Sequence, residues 1–283
     1  MPVQSQQDLY HYAPTKWVGV LFLFLFGFSA VLHLFQALRY KLHWLIYSAT
    51  LCGVIEALGW AGRTVSAFNL NSSSSGPYIL QSSLTLFAPT AILAVNFILL
   101  ARLIARLGPA YSRLNPRLYS KIFLTCDIVA LLIQCTGGGM SATKSMAKGG
   151  DIALTGVIFQ FVAIICYITL AVEFFVRYAK YSPVRPDRSS HRGTVTPRVK
   201  QQIIGMGIMT VLIVVRSIYR TVELVDGWTG KIASTQWLFV VFDALMIALA
   251  MYTLHYFHPG RLLVPEEDEQ HTLVQYPKQP GSP

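Results

Sequence analysis

Charge is what this sequence has least of. Asp, Glu, Lys and Arg together make up 13% of its 283 residues, about half the fraction usual in a soluble domain, while 53% of the chain is apolar. That balance excludes an ordinary water-facing surface and makes lipid the expected solvent. Cysteine is also scarce. Cys52, Cys126, Cys135 and Cys166 all fall inside apolar stretches, where they read as small packing residues, and their spacing suggests neither a disulfide framework nor a metal site. No Gly-rich phosphate-binding motif occurs, so ATP hydrolysis by this chain is not expected. The first sixteen residues are polar and lack a basic leader. The apolar run after them is too long for a signal-peptide core, so it is expected to stay as a first helix.

What the chain does have is long apolar runs. A spanning helix needs about 20 mostly apolar residues, and seven segments qualify: 17–38, 44–62, 78–103, 118–140, 152–176, 203–222 and 235–257. The connectors between them carry turn chemistry, such as Asn71-Ser-Ser-Ser-Ser-Gly-Pro77 and Lys148-Gly-Gly150. The expected fold is an all-α integral membrane protein, a seven-helix bundle. Residues 1–16 form a segment before it, 17–258 the membrane domain, and 259–283 a polar, disordered tail with the acidic run Glu266-Glu-Asp-Glu269.

Net charge is +10, but the basic residues are not spread as a nucleic-acid patch, and no nucleic-acid partner is expected. Sixteen Lys and Arg fall on one side of the seven-span topology and five on the other, with Arg216 and Arg220 inside the sixth span. The basic side faces the cytoplasm, which puts the N-terminus outside and the C-terminus in the cytoplasm. Asn71-Ser72-Ser73 is a glycosylation acceptor pattern on the expected outer side.

Ionisable residues within spans cost about 2.5–3.5 kcal/mol each on insertion scales and need a partner or a role. Here they recur at seven-residue spacing, which places them on one helix face: Glu56 and, at its outer end, Arg63 on the second helix, Asp127 and Gln134 on the fourth, Gln236 and Asp243 on the seventh. The sixth span adds Arg216, Tyr219, Arg220 and Glu223. Three arginines and four carboxylates are thus expected in one zone, from mid-membrane outward. Two readings stay open: an internal salt-bridge network that fixes packing, or a hydrated cavity for a polar head group. Arginine suits phosphate or carboxylate through its planar fork; the carboxylates suit an amine. Ser29, His33 and Gln36 make a weaker stripe in the first span. Catalytic zinc takes three protein ligands, and His33 and His255 alone are placed inside spans, so no metal, cofactor or catalytic residue is expected.

The order and spacing of several short motifs resemble the fungal lipid-translocating exporter family, which includes aminosterol- and sphingoid-base-resistance proteins. The pieces are Tyr12-Ala-Pro14, His33, Glu56-Ala-Leu-Gly59-Trp60-Ala-Gly-Arg63, Ala88-Pro89, Phe123-Leu-Thr-Cys-Asp127, and Gln134-Cys-Thr-Gly137-Gly-Gly139. They continue with Gly156-Val-Ile-Phe-Gln160, Arg216-Ser-Ile-Tyr219-Arg220-Thr-Val-Glu223, Gly227, Gly230, Trp237, Phe242-Asp243-Ala-Leu245 and His258-Pro-Gly260. Trp60 stands where the family usually has Tyr, and Gln236 where an acid usually precedes the tryptophan of the seventh helix. The resemblance implies export, or trans-bilayer movement, of amphiphiles such as sphingoid bases or sterol-like compounds, with resistance to toxic ones. The plasma membrane is the expected site, or else an internal membrane. The alternative is a seven-helix receptor or sensor of a lipid or stress signal. Against it, the end of the third span lacks an Asp/Glu-Arg-Tyr signature.

Overall fold

A computed structural model describes residues 9–72, 74–143, 146–184, 192–227 and 230–263. The acidic tail, Ser73 of the acceptor triplet and residues 185–191 of the basic fifth connector lie outside them. All regular elements among the described residues are helical. Seven are long and apolar enough to cross a membrane: α1 (Lys16–Arg39), α2 (His43–Phe68), α3 (Gly76–Leu107), α4 (Pro116–Thr143), α5 (Met146–Ala179), α6 (Pro197–Asp226) and α7 (Gln236–Leu262). This is an integral membrane architecture.

The helices run past the apolar cores expected from hydropathy because polar termini continue them beyond the hydrocarbon. At 34 residues and about 1.5 Å per residue, α5 exceeds the roughly 30 Å hydrocarbon core. Helix starts carry the local chemistry that makes them. Pro197 enters at the first turn of α6, and Thr196 caps it by accepting a hydrogen bond from the Val199 N–H at 3.3 Å. At the other ends, Gly108 and Gly227 take φ of 140° and 87°, where a Cβ would be strained.

Consecutive helices pack side by side, and α1 closes onto α7. Helix α3 is central, touching α2, α4, α5, α6 and α7. Its residues Ile92, Val95, Leu99, Leu100, Leu103 and Ile104 are fully buried. Peripheral helices instead expose apolar rows, Phe24, Val31, Phe35 and Leu38 on α1 among them, as a lipid-facing surface should. Between helices in lipid, close approach replaces the hydrophobic drive, so small residues sit at contacts. The triple glycine of α4 shows this. A Cβ on Gly137 would overlap the Ala153 backbone nitrogen of α5, whereas Gly138 and Gly139 face open space. The segment stays helical through Thr143.

Two helices contain a widened π-type turn: Ile46–Thr50 at the start of α2, and Val240–Ala244 in α7. Such turns rotate the facing of the residues beyond them and recur at functional sites. The second carries Asp243. After Phe257, the chain makes one more turn, Pro259–Leu262, with Gly260 packed against the Tyr40 ring.

Candidate functional site

The intramembrane polar residues gather near the bundle face that bears the start of α1 and the ends of α2, α4 and α6. They form three linked groups rather than a single pool.

The first group joins α6 to α7. Asp243, 2% exposed, takes two parallel hydrogen bonds from Arg220, Nε to Oδ1 and Nη2 to Oδ2, both 2.8 Å. Bidentate pairs of this kind fix orientation as well as charge. Arg216 also approaches Asp243, its Nε lying 2.8 Å from Oδ1 as an ion pair off the hydrogen-bond axis. Arg220 reaches on to Glu223 Oε2 at 2.9 Å, and the Tyr219 hydroxyl donates to Glu223 Oε1 at 3.1 Å. Glu56, 2% exposed on α2, lies within the electrostatic reach of Asp243, Arg216 and Arg220. The remaining partner of Arg216 comes from the backbone: Nη2 donates to the Thr85 carbonyl of α3 at 2.9 Å. Pro89, four residues on, has no N–H, so that carbonyl has no helical partner of its own.

The second group joins α4 to α5. Gln134 Nε2 donates to Gln160 Oε1 at 3.1 Å, and Gln160 Nε2 donates to Asp127 Oδ1. The two glutamines thus form a polar ladder that descends along α4 to Asp127, which is 2% exposed. Arg216 contributes to the field at Asp127, which links this ladder to the first group.

Arg63 forms the third and departs from the expected network. It pairs with no carboxylate among the described residues. Its Nη2 donates to the Tyr12 hydroxyl at 2.8 Å and its Nη1 to Gln81 Oε1 at 3.3 Å. Four rings surround it, Tyr10, Tyr12, Trp60 and Phe239, with centroids 5.1–5.6 Å from Cζ. Trp60, where the family usually has Tyr, stacks on Phe22 at 4.6 Å.

These groups border a cavity of about 100 Å³ at that face. Arg63, Gln134, Arg220 and Glu223 line it, with Tyr10, Tyr12, Tyr78 and Gln81. Glu56, Arg216, Tyr219 and Asp243 are packed among the helices and are not part of its lining, nor is Asp127. Gln236 is absent from the lining too. Its Oε1 accepts from the Thr15 N–H and hydroxyl at 3.2 and 3.1 Å, pinning the start of α1 to α7. Asn71 is exposed in the α2–α3 connector.

Sequence spacing alone did not reveal Gln160, Gln81, Thr85 or the tyrosines of the segment before α1 as members. Tyr12 and Gln160 do fall within the family-like motifs. Toward the opposite face, the stripe on α1 finds its partner in α7. His255 Nδ1 shares a hydrogen bond with Gln36 Oε1 at 2.8 Å, and its Nε2 one with Ser29 Oγ at 2.9 Å. His33 stacks on the same ring at 3.7 Å. Among the described residues, no group of three His, Cys, Asp or Glu has metal-binding geometry.

Fold and site together define a polytopic membrane protein with a charged network buried between its helices. A family model described as RTA1 like protein matches residues 49–266, and the chain belongs to that family. The sphingoid long-chain base transporter RSB1 of Saccharomyces cerevisiae strain S288c is 27% identical over 282 residues, covering 87% of this chain and 72% of that protein. Protein RTA1 of the same strain is 28% identical (86% and 82% covered), and protein RTM1 of Saccharomyces cerevisiae 29% (70% and 62%). No solved structure matches.

Proposed function

We propose that the chain moves amphiphilic lipids across the membrane, with the polar head group entering the cavity between the helices while the apolar tail stays in lipid. A head group is costly to drag through hydrocarbon, and buried polar side chains lower that cost by replacing its water. The observation that carries this reading is the cavity's position. It abuts the Arg216–Asp243–Arg220 cluster on one side, and through Gln134 and Gln160 it connects to Asp127. The transporter name of one relative supports a sphingoid-base-like cargo. Of the residues assigned to the head-group path, Arg63, Gln134, Arg220 and Glu223 line the cavity, and Glu56, Asp127, Arg216, Tyr219 and Asp243 back it from between the helices. With the N-terminus outside, as the charge bias indicates, the cavity faces the extracellular side; export is the direction that the family resemblance implies. The chain acts by binding and movement, without a catalytic step.

The test is flux of a fluorescent sphingoid base in proteoliposomes of purified protein. Asp127→Asn and Arg216→Ala should abolish flux while the protein remains folded by thermal unfolding in detergent. Wild-type flux in both variants would remove this path.

A further inference from the structure

Arg63 is 1% exposed and lines the cavity, yet no carboxylate pairs with it among the described residues. Its hydrogen-bond partners, Tyr12 and Gln81, are neutral acceptors, and its Nε–H has none. A guanidinium carries five donors, so most of its capacity is unspent. The four surrounding rings each contribute about 0.5–2 kcal/mol of cation–π attraction, but a quadrupole does not cancel a whole charge. Tyr10 brings no negative charge either. Burial pushes its phenol up to about 12, against the opposing pull of Arg63.

The neighbouring charges sharpen the imbalance. Arg220 lies over the same ring as Arg63, its Cζ 5.2 Å from the Phe239 centroid where Arg63 is 5.1 Å away. Phe239 therefore carries two like charges, but only Arg220 is neutralised, by Asp243 and Glu223. An unpaired buried ion is expensive, and a cavity bordering it offers the place for the missing partner.

We propose that Arg63 anchors an anion site, and that the cavity takes a ligand bearing a phosphate- or carboxylate-class group. The inference rests on reading the cavity as a head-group site, and it adds the sign of the charge that fits there. The cationic amine of a free sphingoid base would leave Arg63 uncompensated, so within that cargo class the site favours a phosphorylated or zwitterionic form, whose anionic group satisfies it.

The experiment measures equilibrium binding to the purified full-length chain in neutral detergent, by native mass spectrometry. The probes are dioctanoyl phosphatidic acid, dioctanoylglycerol, which lacks the phosphate, and inorganic phosphate alone. Wild type should prefer the phosphatidic acid about ten-fold or more, roughly the discrimination that 1.4 kcal/mol gives. Gln81→Glu, which sets a permanent carboxylate against Arg63 Nη1, should erase that preference without lowering the thermal midpoint. Arg63→Gln should do the same if it folds. Competition by millimolar inorganic phosphate would extend the site to the free anion, and lack of competition would confine it to the lipid head group; either supports the site. Equal binding of the two lipids by wild type, or an undiminished preference in folded Gln81→Glu, overturns it. Binding without flux would instead count against transport, and flux without anion preference against this site alone.

Discussion

Pro89 and Arg216 complete one another across two helices. The proline leaves the Thr85 carbonyl without its helical hydrogen bond, and the arginine takes that carbonyl with Nη2 at 2.9 Å. A helix-breaking residue is tolerated in a membrane span when a neighbour satisfies the freed group. Here the neighbour is a charged residue at the centre of the candidate site, so the backbone defect helps to hold that charge in place.

Replacing Pro89 with Ala tests this coupling. Proline in a helix interior costs about 3 kcal/mol, whereas a hydrogen bond to a charged group contributes about 1.5–3 kcal/mol. The two changes oppose each other, so the thermal midpoint in detergent should move little. Flux should fall, because Arg216 loses its backbone anchor. A variant with full flux would show that the Thr85 carbonyl is incidental.

Asp243 is shared by two guanidiniums, and its loss should be felt by both. Asp243→Ala should cost about 3–5 kcal/mol, the range for stranding one member of a buried ion pair. The pair Arg216→Met with Asp243→Leu should recover part of that loss while remaining inactive in transport. Thermal unfolding of the single and double variants would check this, and additive losses would contradict the coupling.

The three consecutive glycines of α4 should not respond alike. Gly137→Ala drives a methyl group into the α5 backbone at Ala153, and Gly138→Ala meets nothing within 4 Å. The first should lower the thermal midpoint by an amount corresponding to about 1–3 kcal/mol. The second should be neutral, or slightly stabilising through helix propensity. Equal midpoints would mean that α4 and α5 do not approach closely at Gly137.

Orientation can be read from Asn71. The residue is exposed between α2 and α3, on the face that the charge bias places outside. Expression in a glycosylating host should give a mass shift that a glycosidase removes and that Asn71→Gln lacks. If Asn71 stays unmodified while an acceptor engineered into the α3–α4 connector is glycosylated, the N-terminus faces the cytoplasm.

Seven spans were legible in the chain because each is a local property, an apolar run of sufficient length read without reference to any neighbour. Their ends were less so: α5 and α6 continue through residues whose polarity hides them from hydropathy, and helical hydrogen bonding rather than lipid carries them on. The polar faces were also legible, since seven-residue spacing fixes one side of a helix. Glu56, Asp127, Arg216 and Asp243 could be named on that ground alone.

Which of these residues would meet was a different matter. Spacing within a helix says nothing of its rotation against the next one, and that rotation is decided by close contacts such as Gly137 on Ala153 and by the widened turn at Val240–Ala244 that carries Asp243. Only the assembled bundle put Asp243 between two arginines, set Gln160 between Gln134 and Asp127, and surrounded Arg63 with rings instead of carboxylates. The sequence by itself determined a seven-helix membrane protein with charges inside. The tertiary structure decided which of those charges pair among the described residues, because pairing depends on distances between helices that no single helix encodes.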